Sequence, residues 1–176
     1  MIQSVVDAVL IVFASTAAWW DATTHRIPNK ITVTGFALAL LLRAPLGLDA
    51  LLQGLAGAGI ALVPAVVFYA LGAIGGGDVK LLAGVGAFFG SAHIVGALAL
   101  TAVLGAAFAL GSVISRGLLG LLFFNTLDLV KSLVSLGGSG HRAKLDSSAG
   151  SALTIPYGVP IAVAALIWWF VKGVRV

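Results

Sequence analysis

Residues 51–74 read LLQGLAGAGIALVPAVVFYALGAI, and residues 75–80, which follow directly, read GGGDVK. The first stretch has no charged side chain and is longer than the about 20 apolar residues that cross a bilayer as a helix. The second stretch places a carboxyl group and an amine at the end of that segment, after three glycines. The sequence therefore predicts a transmembrane helix that ends at a polar, glycine-rich membrane edge.

The composition extends this prediction to the whole chain. Of the 176 residues 60% are apolar and 9% are charged, and the mean hydropathy is +1.14. An ordinary soluble domain carries about 25% charged residues, so a soluble enzyme, a coiled coil and a disordered chain are excluded. The absence of Cys excludes disulfides and thiol catalysis. We expect an all-α, polytopic transmembrane helical bundle embedded in the lipid bilayer, as a single membrane-embedded domain over residues 1–176.

Apolar stretches and polar joints predict about six spans. Arg43 near the end of the second span is expected to extend to the membrane surface. The turn between spans four and five is expected at Ser91–His93, and Trp168 and Trp169 are expected to anchor the last span at the interface. Amphipathic spacing predicts one interfacial helix over residues 117–136. The expected spans are residues 2–20, 31–48, 51–74, 81–90, 94–115 and 153–171.

The distribution of Lys and Arg predicts the orientation. If the joint after the first span is cytoplasmic, seven of these ten residues lie on that side and three on the other. The positive-inside rule favours that choice, which places residues 21–30 and 75–80 at the cytoplasmic face. The high pI therefore reflects membrane orientation, and no basic run with interleaved aromatic residues indicates nucleic-acid binding.

Two of the six acidic residues, all of which are Asp, fall at this cytoplasmic edge. Asp21 ends the first span and Asp78 lies near the start of the fourth. Ionisable groups at membrane depth are costly and often functional. Two neighbouring carboxyls share one proton, so one can activate a water while the other polarises a carbonyl, as an aspartic protease requires. Asp21 and Asp78 are therefore candidates for a catalytic pair of this kind, which needs no metal and no cofactor.

The glycines before Asp78 fit this chemistry, because Gly75, Gly76 and Gly77 permit a broken helix start and close approach by a substrate strand. The three His residues lack the spacing of metal ligands, so we do not expect a metalloprotease. No arrangement of Ser with His or Lys indicates a serine protease.

Four stretches of the sequence resemble the type IV prepilin peptidase family of Gly-x-Gly-Asp membrane aspartyl proteases. The resemblance implies that Asp21 and Asp78 are catalytic, and that the enzyme removes short basic leaders from prepilins at the cytoplasmic face of the bacterial inner membrane. Association with the pilus assembly machinery is also implied. The stretches are Asp21 with Arg26–Asn29, Gly75–Leu81, the glycine-rich span with Gly84, Gly86 and Gly90, and Ile155–Gly158.

The chain differs from the long form of this family, which has an extra N-terminal segment, often with Cys-x-x-Cys motifs, and also methylates the mature pilin. Here the first span begins at once and Cys is absent, so we expect no methyltransferase activity. The short chain is more similar to the peptidases of tight-adherence systems, which process Flp-type prepilins and pseudopilins. Archaeal preflagellin peptidases are a more distant alternative.

Each of these residues also has a structural interpretation. Asp21 could be an ordinary interfacial residue, and Asp78 could be the N-cap of the next helix. Lys80 could tune the pair or hold the substrate backbone, or it could only contribute to the positive-inside bias.

The remaining expected site residues shape their surroundings. Pro28 and Asn29 are expected to shape the joint that aims Asp21, with Asn29 as a cap. Pro156, Tyr157 and Gly158 are expected to kink the last span, or alternatively to line the cleft beside the pair.

Two other functional classes remain open at this point. Membrane aspartates also serve in small transporters and proton relays, although these more naturally place a carboxyl near the midplane. The third class is a structural subunit of a secretion machine, in which the aspartates only support packing.

Overall fold

The computed structural model describes residues 2–115 and 156–174, and their regular secondary structure is helical throughout. The larger of two compact units contains residues 1–106 and 156–176, and the second contains residues 107–155, of which only the last part of one helix is described. The helices are α1 (Ile2–Thr24), α2 (Asn29–Arg43), a 3-10 turn (Ala44–Leu46), α3 (Leu48–Ala70), α4 (Gly76–Ser115) and α5 (Gly158–Lys172).

Three of the described helices are long and apolar enough to cross a membrane. These are α1, α3 and residues 76–112 of α4, and α5 is a shorter apolar helix. The prediction of an all-α protein with several membrane-spanning helices is thereby confirmed. The interfacial helix predicted over residues 117–136 lies outside the described residues.

The chain reverses direction inside α4, at Gly90. This residue has φ 69° and ψ 176°, a backbone conformation that glycine adopts without steric cost. Leu82 and Gly105 lie on either side of the break and line the same cavity, whereas a straight helix would separate them by about 34 Å. Two helical segments are therefore present where two spans were predicted. The turn predicted at Ser91–His93 is wrong, because those residues are helical and Gly90 alone interrupts the helix.

Arg43 holds the break at Gly90 from the end of α2. Its Nε donates to the Ala87 carbonyl at 2.8 Å, its Nη2 to the Phe88 carbonyl at 2.7 Å, and its Nη1 to the Ala50 carbonyl at 3.2 Å. The Ala87 and Phe88 carbonyls lie at the end of a helical segment and lack intrahelical donors. The guanidinium supplies those donors. The expectation that Arg43 extends to the membrane surface is wrong, because the side chain is buried and its donors are bound to backbone.

Glycines bring α1, α3 and α4 into close contact. A Cβ on Gly57 or Gly86 would overlap the backbone of the other residue's helix, so α3 and the first segment of α4 pack backbone to backbone. A Cβ on Gly84 would lie 2.7 Å from the Phe13 ring, which α1 buries against α2 and α4. Small residues at such contacts are typical of helix packing in membranes. This packing holds the middle of α1 against the first segment of α4.

Helix α5 packs along α1, and Trp169 connects the two at the end far from Asp21. The Trp169 Nε1 donates to Asp7 Oδ1 at 2.8 Å, and the Gln3 amide donates to the same oxygen at 2.9 Å. Trp169 is therefore a core residue, and its predicted role as an interfacial anchor is wrong. Trp168 is partly buried, with the Lys172 ammonium 5.3 Å from its ring centroid. The antiparallel pairing brings the first residues of α5 to the last turns of α1.

Candidate functional site

Three helix ends meet at one end of the larger unit. They are the last turns of α1, which carry Asp21, and the first turns of α4 and α5, which carry Asp78 and Gly158. Asp21 is 4% exposed and Asp78 is 7% exposed, and they are the two buried acids among the described residues. The sequence prediction that Asp21 and Asp78 lie at a common edge therefore matches their placement.

The start of α5 holds Asp21. The Gly158 N–H donates to Asp21 Oδ2 at 2.6 Å, and the Val159 N–H also lies against this carboxyl. The first N–H groups of a helix have no intrahelical acceptor and carry partial positive charge, so they are suited to hold a carboxylate. The sequence indicated no role for Val159, and it predicted for Gly158 either a kink in the last span or a place in the cleft beside the pair. A contact between residues 137 positions apart depends on the packing of α1 against α5.

The start of α4 holds Asp78 in a similar way. Asp78 is the third residue of this helix, and its Oδ2 accepts the N–H of Gly75 at 2.9 Å. The carboxyl thus reaches back to the residue before the helix, as the acidic residue of a capping box does, and Asp78 is not the N-cap itself. Gly75 and Gly76 are exposed, so the backbone beside Asp78 is accessible.

Ile27 lies between the start of α4, which carries Asp78, and the start of α5, which holds Asp21. A Cβ on Gly77 would lie 3.2 Å from Ile27 Cβ, and a Cβ on Gly158 would lie 2.8 Å from Ile27 Cδ1. The side chain is 7% exposed and belongs to the core. The Asp21 carboxyl is close enough to Asp78 for its charge to act on the Asp78 carboxyl. Sequence analysis gave Ile27 no role, although a large apolar residue in an otherwise polar joint indicates burial.

Lys80 contacts the joint after α1. Its Nζ donates to Asn29 Oδ1 at 2.7 Å, and both residues are exposed. Two predicted site-shaping residues are thus brought together, and the bond connects the segment that follows Asp21 to the helix that carries Asp78. The expected cap by Asn29 is wrong, since Asn29 is the first residue of α2 and the N-cap is Pro28, whose extended backbone turns the chain into the helix.

Pro156, Tyr157 and Gly158 do not kink a helix, because α5 begins at Gly158 and the first two residues precede it. Gly158 instead lies directly against Asp21, where a Cβ would come within 2.8 Å of Asp21 Oδ2. Tyr157 lines an apolar cavity, so the alternative prediction fits its placement better. The stretch therefore belongs to the surroundings of the pair.

The described residues bring together two carboxyls, several backbone N–H groups and accessible glycines. Within residues 2–115 and 156–174 no group of three His, Cys, Asp or Glu side chains could hold a metal ion. Paired carboxyls can pass one proton between water and a substrate carbonyl, which is sufficient for peptide hydrolysis.

Comparison with known protein families gives a match over more than half of the chain. The model of the type IV leader peptidase family matches residues 8–110, a range that contains Asp21, Asp78 and the joint between α1 and α2. No curated protein and no solved structure matches the chain significantly.

Proposed function

This chain belongs to the type IV leader peptidase family, whose members are aspartic prepilin peptidases, and we propose that Asp21 and Asp78 are its catalytic carboxyls. The observation that carries this proposal is the meeting of two buried acids at one end of the bundle, each held by a backbone N–H. Because those N–H groups belong to helix starts, the carboxyls are positioned before substrate binds, and little reorganisation is needed during the reaction.

The proposed reaction uses one water and one shared proton. The ionised carboxyl removes a proton from the water, whose oxygen forms a bond to the carbonyl carbon of the scissile peptide. The protonated carboxyl donates to the carbonyl oxygen. When the tetrahedral intermediate collapses, the C–N bond breaks and the amine leaves with a proton from the pair. No covalent enzyme intermediate forms.

The proposed substrates are Flp-type prepilins and pseudopilins. Their basic leader remains in the cytoplasm while their apolar helix lies among the spans, and a small residue before the cut fits beside the exposed Gly75 and Gly76. The Lys and Arg distribution supports an active site that faces the cytoplasm from the bacterial inner membrane. Residues 1–176 would act as one membrane-embedded peptidase domain with about six spans, near the pilus assembly machinery.

The test is cleavage of a purified Flp-type prepilin in detergent, without an ion gradient, followed by N-terminal sequencing of the product. Asp21→Asn and Asp78→Asn each keep an oxygen that can accept the backbone N–H, so the fold is expected to persist while cleavage is abolished. Asp49→Asn, at an exposed acid in the first turn of α3, is the matched control and should cleave normally.

Normal cleavage by either Asn variant at the site would refute the proposed pair. Ion flux in liposomes that requires Asp78, without any cleavage, would instead support the proton-relay interpretation.

A further inference from the structure

An apolar cavity of about 280 Å³ lies within the larger unit, and some of the residues that line it are neighbours in sequence of the candidate site. It is larger than the ~150 Å³ apolar cavity that binds benzene in an engineered protein, so a branched or aromatic side chain would fit. Its walls come from α3, both segments of α4 and the start of α5. They include Phe68, Leu82, Leu98, Gly105, Tyr157 and Ile161.

The cavity shares its walls with the candidate site. Tyr157 directly precedes Gly158, which donates to Asp21, and Leu82 follows Asp78 by one helical turn. Ile161 lies one turn further along α5. Leu82 and Ile161 each lie about one turn beyond the site, in helices that begin at the site. The cavity therefore lies on the membrane-spanning side of the carboxyls.

The lining accepts apolar groups and rejects charged ones. Among its residues the Thr101 hydroxyl already donates to the Ala97 carbonyl at 2.8 Å, and the walls contain no ionised side chain. Placing a charge in such a site without a partner is strongly unfavourable. A substrate with a charged leader must therefore direct its apolar portion, and not the leader, towards this cavity.

We propose that this cavity binds an apolar side chain from one of the first two residues after the scissile bond of the prepilin. The proposal rests on the proposed function and adds a specificity site to it. From Asp78 to Leu82 α4 rises about 6 Å, and two residues of extended chain span about 7 Å, so these residues reach the cavity from the site. The apolar helix of the substrate then continues into the membrane.

The first experiment measures kcat/KM of the wild-type enzyme on a prepilin with a large apolar residue at both positions, and on versions with Ala at the first, the second or both. Loss of a buried apolar side chain is expected to lower kcat/KM at least 10-fold at one of the positions. Equal kcat/KM for all four substrates would overturn the proposal. No cleavage of any prepilin would instead refute the proposed function itself.

The second experiment fills the cavity. Gly105 is buried in its wall, and a Cβ there would lie 3.4 Å from Tyr157 Cε1, an ordinary contact, so Gly105→Ala should fold and Gly105→Leu should occupy the space. Gly105→Leu is expected to lower cleavage of the large-residue substrate at least 10-fold and cleavage of the double-Ala substrate less than 3-fold. Gly105→Ala should show the same selectivity to a smaller degree.

Gly59→Leu is the matched control, because Gly59 is exposed on α3 and a Cβ there meets nothing within 4 Å. It should leave cleavage of both substrates unchanged. If Gly105→Ala and Gly105→Leu lower cleavage of both substrates equally, or of neither, the cavity does not select the substrate side chain and the proposal fails.

Discussion

Replacement of Gly158 by Ala tests whether the start of α5 positions Asp21. The new Cβ would lie 2.8 Å from Asp21 Oδ2 and 2.8 Å from Ile27 Cδ1. An unstrained contact needs about 3.5 Å, so the carboxyl must move by about 0.7 Å. That movement disturbs the 2.6 Å hydrogen bond from the Gly158 N–H.

The size of the effect follows from two independent estimates. A hydrogen bond to a charged group contributes about 1.5–3 kcal/mol, and a misplacement of about 1 Å in a reacting group can cost about 100-fold in rate. At about 1.4 kcal/mol for each tenfold change, both estimates agree on a fall of about 10–100-fold in kcat/KM. The fold should persist, because the atoms that must move are ends of side chains.

The assay measures prepilin cleavage and thermal unfolding in the same detergent for three Gly→Ala variants. Gly77→Ala places its Cβ 3.2 Å from Ile27 Cβ and should have a smaller effect than Gly158→Ala. Gly59→Ala meets open space and should cleave normally, with stability equal to or slightly above wild type. Full activity of the folded Gly158→Ala variant would show that α5 does not position Asp21, and loss of the fold would refute the expectation that only side-chain ends move.

Two further predictions concern polar side chains that bond outside the pair. Lys80→Met removes an exposed hydrogen bond worth no more than about 1 kcal/mol, so cleavage should fall about 5-fold or less. Lys80→Gln can still donate to Asn29 and should restore cleavage. Complete loss of cleavage in both variants would mean that Lys80 acts on the substrate or the pair. Arg43→Leu removes the donor from the two buried carbonyls of Ala87 and Phe88 and should lower the free energy of unfolding in detergent by about 3 kcal/mol, while the folded fraction keeps its activity. Unchanged stability would contradict the assigned role.

The sequence was sufficient to place Asp21 and Asp78 at one edge of the bundle because charged residues are so scarce in this chain. Only six acids occur in 176 residues, and two of them fall at polar joints that span counting places on one membrane face. Their partners could not be predicted in the same way. The contact between Gly158 and Asp21 depends on the antiparallel packing of α5 on α1, which the sequence pattern of either helix leaves undetermined.

The wrong prediction for the placement of Arg43 has a physical cause. A long cationic side chain near the end of an apolar span can extend to the interface, and the sequence pattern is the same when it instead turns inward. The outcome is decided by Gly54 and Gly90. A Cβ on Gly54 would lie 2.6 Å from the Arg43 side chain, and the break at Gly90 frees carbonyls that the guanidinium can bind. Both conditions depend on the fold.

Asp21, Asp78 and Arg43, the buried charged side chains among the described residues, share one feature: each bonds to backbone groups. A Lys or Arg against either carboxyl would stabilise its ionised form strongly and oppose the sharing of a proton. Backbone N–H groups at helix starts carry only partial charge, so they fix the position of a carboxyl with a weaker preference for its ionised form. Lys80 fits this arrangement, because it lies two residues from Asp78 yet donates to Asn29. Helix ends can therefore hold two carboxyls in position while either one carries a shared proton.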